Sequence, residues 1–408
     1  MSNAIVGQSG GPTAAINATL AGVIRGAAKC CGGIQKIYGM INGIEGVLNG
    51  NIKDLTYLVN DEENLQLLEN TPAAALGSCR RKLPNIDSPD VQEIYSKIFA
   101  QFEAYDIKYV FYIGGNDSMD TVKKLSRWAI KIGSDIKIVG VPKTIDNDLF
   151  GTDHTPGYGS AAKYIAATMQ EICHDNAIYP IKSVVITEIM GRDAGWLTAA
   201  AALPRLIGGK SPALVYLPEA TFSNERFLAD IEHEFEKSDN ITIAVSEGVK
   251  YADGRYVCDA CGSGSDEFGH AQLSGAAVKL KNLVSEHFGC KARAIELSTP
   301  QRCASHIASL CDLSESVRIG KSAVTAAISG KSGVMMTFVR ADSACYSVDI
   351  GCANIESIAN KIKTVPLELI DTESSTVTDE CLKYILPLIA GEPFLRYENG
   401  IPRFFEII

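Results

Sequence analysis

Ile136-Lys137-Ile138-Val139-Gly140-Val141-Pro142-Lys143-Thr144-Ile145-Asp146-Asn147-Asp148 begins as a short β-branched run and ends abruptly in charged residues. The same reading holds for Ala4–Val6, Ile34–Tyr38, Tyr109–Ile113, Ser183–Ile189, Ala213–Leu217, Ile241–Val245 and Ala292–Leu297. Continuous apolar runs suit strands buried on both faces, as in a parallel sheet covered by helices. Between them, Ala15–Cys30, Val91–Ala104, Asp120–Ile132 and Gly159–Ile172 carry helical periodicity. Strand–helix alternation of this kind predicts an α/β protein with doubly wound, largely parallel sheets.

Composition narrows the function classes. The chain has 408 residues, 46% of them hydrophobic and 21% charged, which excludes a disordered chain. A net charge of −10 argues against a nucleic-acid partner, since no basic field surrounds the molecule. No run approaches the roughly 20 apolar residues that a bilayer requires, so no membrane partner is expected. With no signal-peptide pattern, the 12 cysteines read as reduced thiols, and the expected location is cytoplasmic. Cys258-x-x-Cys261 with His287-x-x-Cys290 lacks finger-like spacing and reads as free thiols rather than a zinc site.

In sheets of this type ligands bind beyond the carboxyl ends of the strands. Those ends carry Gly7-Gln-Ser-Gly-Gly-Pro-Thr-Ala-Ala-Ile-Asn17, Gly114-Gly115-Asn116-Asp117-Ser118, Lys143–Asp148, Met190-Gly191-Arg192-Asp193, Pro218-Glu219 and Ser246-Glu247-Gly248. Their convergence on one sheet edge marks an active site. Glycines between a strand and a helix let backbone N–H groups approach an anion. Gly-Lys-Ser occurs at 209, 320 and 330, but Pro204, Glu315 and Thr325 stand where a Walker loop needs glycine, which excludes a P-loop NTPase. Asp146 and Asp148 at i and i+2 can divide labour between proton acceptor and metal ligand. Lys143 supplies a point charge for phosphate, Arg80 follows Gly77-Ser78 as a phosphate clamp, and Asn116-Asp117-Ser118 adds hard oxygen donors. Anion loop, acidic metal site, base and cationic clamps together describe phosphoryl transfer.

Thr144-Ile-Asp-Asn-Asp148, Met190-Gly-Arg192, Ser246-Glu-Gly248, Gly10-Gly11 with Asn17, and Gln301-Arg302 resemble, in order, the signature set of the phosphofructokinase family. The resemblance spans roughly residues 3–340. It implies two α/β domains: 1–157 for the phosphoryl donor, joined by part of 301–340, and 158–300 for the sugar phosphate. Residues 341–408 are expected to form an appended C-terminal extension. It also implies Mg²⁺ as cofactor, fructose 6-phosphate as substrate, and a homodimer or homotetramer with a shared sugar site.

Residue roles follow from the resemblance. Asp146 would be the general base, with Thr144 and Lys143 supporting transfer. Gly10, Gly11, Arg80, Gly115, Asp117, Ser118 and Lys143 would hold the donor. Thr144, Asp146, Asp148, Met190, Gly191, Arg192, Glu247, Arg293 and Arg302 would hold the sugar phosphate, with Arg293 reaching in from a neighbouring subunit. Asn116, Asp117 and Asp148 would face the metal. Asp117 and Lys143 replace two glycines typical of ATP-using members, which points to the pyrophosphate-dependent branch. The alternatives are an ATP-dependent enzyme or a non-catalytic sugar-phosphate-binding paralogue. Three departures stand out: Asn116 in place of Asp, Thr299 in place of His or Tyr, and Ser183 in place of a cross-subunit Arg.

Overall fold

The computed structural model describes residues 2–29, 33–88, 91–178, 180–258 and 273–407. Eleven strands form the two main sheets: β1 Ser2–Gln8, β2 Ile34–Met40, β3 Ile52–Asp54, β4 Ile107–Gly114, β5 Lys137–Pro142, β6 Ser183–Ile189, β7 Leu214–Tyr216, β8 Asn240–Ser246, β9 Lys291–Glu296, β10 Val334–Arg340 and β11 Val348–Asn354. The larger sheet has the order β11-β10-β5-β4-β1-β2-β3 and the smaller β7-β8-β6-β9. The small sheet is wholly parallel. The large one is parallel through its centre, with antiparallel β3 and β11 at its edges.

Helices cover both faces of each sheet, as the continuous apolar runs require. On one face of the large sheet, helix Ile16–Lys29 packs with helix Leu310–Ile328 over Val6, Phe111, Val139 and Val141. On the other face, helices Val91–Ala104 and Asn116–Lys131 bury Tyr95, Phe102, Met119 and Trp128 against Ile5, Val110 and Ile138. The small sheet is held between helices Tyr158–Asn176 and Trp196–Ala200 on one side and Asn224–Phe235 and Ala276–Phe288 on the other. Among the described residues no helix is long and apolar enough to cross a membrane, and the nine described cysteines, Cys79 to Cys381, are free. Cys261, one half of the Cys258-x-x-Cys261 pair, lies outside the described residues.

Register brings the motif-bearing ends level. Gln8 pairs with Ile113 and Ile113 with Val141, so the loops after β1, β4 and β5 emerge side by side. Ile189 pairs with Ser246, which sets Met190–Arg192 beside Glu247. The six chemically dense ends are therefore divided between two sheets, three on each, rather than lying along one edge. Two expectations change. The helix expected over Asp120–Ile132 starts earlier, so that Asn116-Asp117-Ser118 is the first turn of helix Asn116–Lys131. The region after Arg340 is not merely appended: β11 pairs along its length with β10, Ile407 enters the large-sheet core, and Cys381, Leu382, Ile385 and Leu388 pack in the core of the small sheet. These residues complete cores whose larger part is built by other elements.

Candidate active site

The loops of the large sheet close on one lysine. Lys143 is only 2% exposed, and its Nζ donates to the carbonyl of Gly11 at 2.5 Å. The same Nζ would lie 3.2 Å, and Ser118 Oγ 4.0 Å, from a methyl placed on Gly10. Gly10 itself has φ +80° and is tied to the 78–80 turn: Ser78 Oγ donates to the Gly10 carbonyl at 2.6 Å and the Gly10 N–H to Cys79 at 3.1 Å. That turn carries Arg80 toward the loop, and its positive charge acts on Lys143. Gly115 precedes the helix that starts at Asn116, so Asp117 and Ser118 sit where the helix N-terminus is electropositive.

The next loop is acidic. The Asp146 N–H donates to Thr144 Oγ1 at 3.1 Å, which folds the turn back on itself. Asn147 is fully buried in the left-handed region at φ 54°. Its Nδ2 donates to the Tyr384 hydroxyl at 3.1 Å, and its Oδ1 accepts from Lys363 Nζ at 3.2 Å. Burial raises the Asp146 carboxyl above the usual range, opposed by Arg192 and Lys143. Burial and the neighbouring Asp146 push Asp148 up to about 7. Burial also lowers the Lys143 ammonium to about 8, against the pull of Asp146 and Asp148. Two adjacent carboxylates of raised pKa beside a cation of lowered pKa form a site that gains from an arriving metal or anion.

The small sheet faces this with complementary groups. Gly191 has φ 149°, and a Cβ there would meet the Ala194 carbonyl oxygen at 2.6 Å, so only glycine makes the turn. The Gly191 N–H donates to Glu247 Oε1 at 3.4 Å, and the Met190 N–H to Gln301 Oε1 at 3.1 Å. Burial, with Asp146 adding, pushes Glu247 up to about 7. The Nε atoms of Arg192 and Arg302 are buried and have no hydrogen-bond partner among the described residues. Buried donors of native proteins are normally satisfied, so both are poised for a ligand oxygen.

Many of the site residues read from sequence are neighbours: Gly10, Gly11 and Ser118 surround the Lys143 ammonium, the charges of Arg80, Asp146, Asp148 and Arg302 act on it, Arg192 acts on Asp146 beside Thr144, and Asp146 acts on Glu247. Two stand apart. Arg293 lies level with Val185, midway along β6, with its guanidinium exposed and 3.9 Å from Asp175. Asn116 spends its carboxamide elsewhere, donating to the Lys361 carbonyl at 2.9 Å and accepting from the Asn360 N–H at 2.8 Å. Sequence reasoning did not single out Asp193, whose charge raises Asp146 and Asp148, nor Lys363 and Tyr384 behind Asn147. Lys363 lies outside regular structure, and Tyr384 lies in the short helix Asp379–Ile385.

Glycine loop, buried cation, paired carboxylates and unpaired arginines between two α/β layers define a phosphoryl-transfer protein. The chain belongs to the phosphofructokinase family, whose model, described as Phosphofructokinase, matches residues 3–327. It is 38% identical over 403 residues to the pyrophosphate–fructose 6-phosphate 1-phosphotransferase of Halomonas elongata, covering 98% of this chain and 95% of that one. The protein of the same name from Methylococcus capsulatus is 38% identical over 408 residues, covering 99% and 96%. The crystal structure of the pyrophosphate-dependent phosphofructokinase from Nitrosospira multiformis superposes with a TM-score of 0.87 at 37% identity, covering 99% and 95%.

Proposed function

We propose that the chain transfers a phosphoryl group reversibly between pyrophosphate and the C1 hydroxyl of fructose 6-phosphate, giving fructose 1,6-bisphosphate and phosphate. The observation that carries this is Lys143: its buried ammonium caps the glycine loop at Gly11, leaving a compact cationic site on the donor side. Pyrophosphate concentrates charge in a small volume and pairs with such a point charge. Asp117, in the first turn of its helix, adds a negative group that disfavours the extra phosphate of a nucleotide.

Asp146 takes the C1 hydroxyl proton. The C1 oxygen attacks the nearer phosphorus of pyrophosphate, the bond from that phosphorus to the bridging oxygen breaks, and phosphate leaves. A carboxyl raised toward neutrality suits a base working in both directions. Thr144 steadies the turn, Glu247 and the 190–192 backbone hold sugar hydroxyls, and Arg192 and Arg302 meet phosphate oxygens. Gly115 and Ser118 complete the donor cradle with Arg80. Arg293, exposed on an edge strand, serves the sugar phosphate of a neighbouring subunit, which makes the working form a homo-oligomer.

The donor set fits Mg²⁺. Among the described residues no three His, Cys, Asp or Glu side chains gather into a ready-made metal cage. Mg²⁺ is ordinarily held by one or two carboxylates with substrate phosphates supplying the rest, and Asp148 and Asp117 provide those here. When bound, the ion neutralises charge on the phosphate oxygens. We place the reaction in the cytoplasm.

The test is the initial rate of fructose 1,6-bisphosphate formation with pyrophosphate or ATP as donor. Turnover with pyrophosphate alone is expected. Turnover with ATP alone would overturn the donor reading.

A further inference from the structure

The family model ends at residue 327, yet a short segment beyond it touches the connection that follows each of four sheet strands. At its start, the Asn360 N–H and Lys361 carbonyl hold the Asn116 carboxamide, just after β4. The Lys363 N–H then donates to the Asp148 carbonyl at 2.7 Å, after β5. The Lys363 carbonyl accepts from Trp196 Nε1 at 3.2 Å, after β6. Finally the Val365 N–H donates at 2.8 Å to Glu219 Oε1, after β7, an oxygen that also receives the Gly195 N–H at 2.9 Å. Residues 360–365 therefore cross from the large sheet to the small one.

The Lys363 side chain works from behind the acidic turn. Its Nζ donates to Asn147 Oδ1 at 3.2 Å and to the carbonyls of Thr152 and Asp153 at 3.4 and 2.5 Å, and it lies 5.3 Å from the Trp196 ring centre. Tyr384 joins it, accepting from Asn147 and donating to the Asp153 carbonyl at 2.6 Å. Asn147 is the left-handed residue between Asp146 and Asp148, so whatever pins it sets the direction of both carboxylates. Distances between reacting groups matter steeply in phosphoryl transfer.

We propose that residues 360–365 are a strap that fixes the spacing of the donor-side and sugar-side loops, with Asn116 and Lys363 as its positioning residues. This accounts for Asn116. A carboxamide supplies the donor for the Lys361 carbonyl and the acceptor for the Asn360 N–H at once. A carboxylate accepts only, and would set two oxygens against each other at 2.9 Å. Asn116 therefore belongs to the strap and not to the metal shell. Neither side chain is assigned contact with the reacting atoms.

The inference rests on the reading that Asp146 carries the chemistry, and the two fail separately. Asp146→Asn is the control for that reading; an active Asp146→Asn sinks it whatever the strap does. For the strap, Asn116→Asp, Lys363→Met and the double variant are measured for kcat, both KM values, thermal midpoint and Mg²⁺ requirement. Each single variant is expected to lose about tenfold or more in kcat, with both KM values within about twofold and the fold retained. The double variant is expected to be little worse than the poorer single, because both residues act through one segment. Asn116→Asp is nearly isosteric and carries the test if Lys363→Met does not fold. Unchanged kcat, or raised KM at unchanged kcat, would overturn the strap. So would an Asn116→Asp variant with higher kcat and a lower Mg²⁺ requirement, which would return residue 116 to the metal shell.

Discussion

Single charges in this cleft are held away from their ordinary titration range, and that has consequences for stability as well as activity. Glu247 is raised to about 7 from 4.5, mainly by burial. The native state therefore binds its proton more tightly than the unfolded state, and the charged form destabilises the fold. That penalty is complete above about pH 7 and fades as pH falls toward 4.5. Glu247→Gln is expected to raise stability by about 3 kcal/mol at pH 8 and by almost nothing near pH 4.5, while turnover falls. Thermal melts across that range check the sign. Lys143 should behave differently on the proposed donor role. Lys143→Met would then remove a charge-assisted bond to pyrophosphate and should raise its KM by about 10- to 100-fold; fructose 6-phosphate KM should change little. Steady-state kinetics with each substrate varied in turn decides this. Asp146→Asn should cost about 10²–10⁴ in kcat with sugar binding intact, and titration calorimetry separates the two effects.

At the scale of elements, strand ends and their turns carry the function, and they were unevenly legible. Strand Ser183–Ile189 and helix Val91–Ala104 fall where apolar run and periodicity place them. The helix expected from Asp120 instead begins at Asn116. Its first turn is polar and lacks the apolar period, although an acidic residue at 117 suits a helix N-terminus. The turn after β6 is more exacting. Gly191→Ala would force a Cβ toward the Ala194 carbonyl in a backbone region closed to alanine, at a cost of about 1–3 kcal/mol. It would also displace the N–H that meets Glu247. Urea unfolding and fructose 6-phosphate KM should both move; if stability alone changes, the turn is structural and does not present the sugar site.

The whole molecule sets what its elements cannot. Arg293 is exposed on β9 beside Asp175, and the proposed shared site makes a specific prediction. Arg293→Ala and Asp146→Asn subunits, each inactive alone, should recover activity when mixed and reassembled. In a randomly mixed dimer about a quarter of the sites regain both residues. No recovery, with mixed oligomers verified by mass, would place Arg293 outside the reaction. The motifs, the alternation of strand and helix, and the handling of phosphate were all readable along the chain, because each depends on residues close in sequence. The division of strand ends between two sheets was not. Nor was the return of residues 360–365 to Asn116, Asp148, Trp196 and Glu219. Those contacts join residues up to 245 positions apart, and they use backbone carbonyls and N–H groups that every sequence possesses. A pairing of that kind leaves no periodicity or motif behind, so only the folded chain decides it.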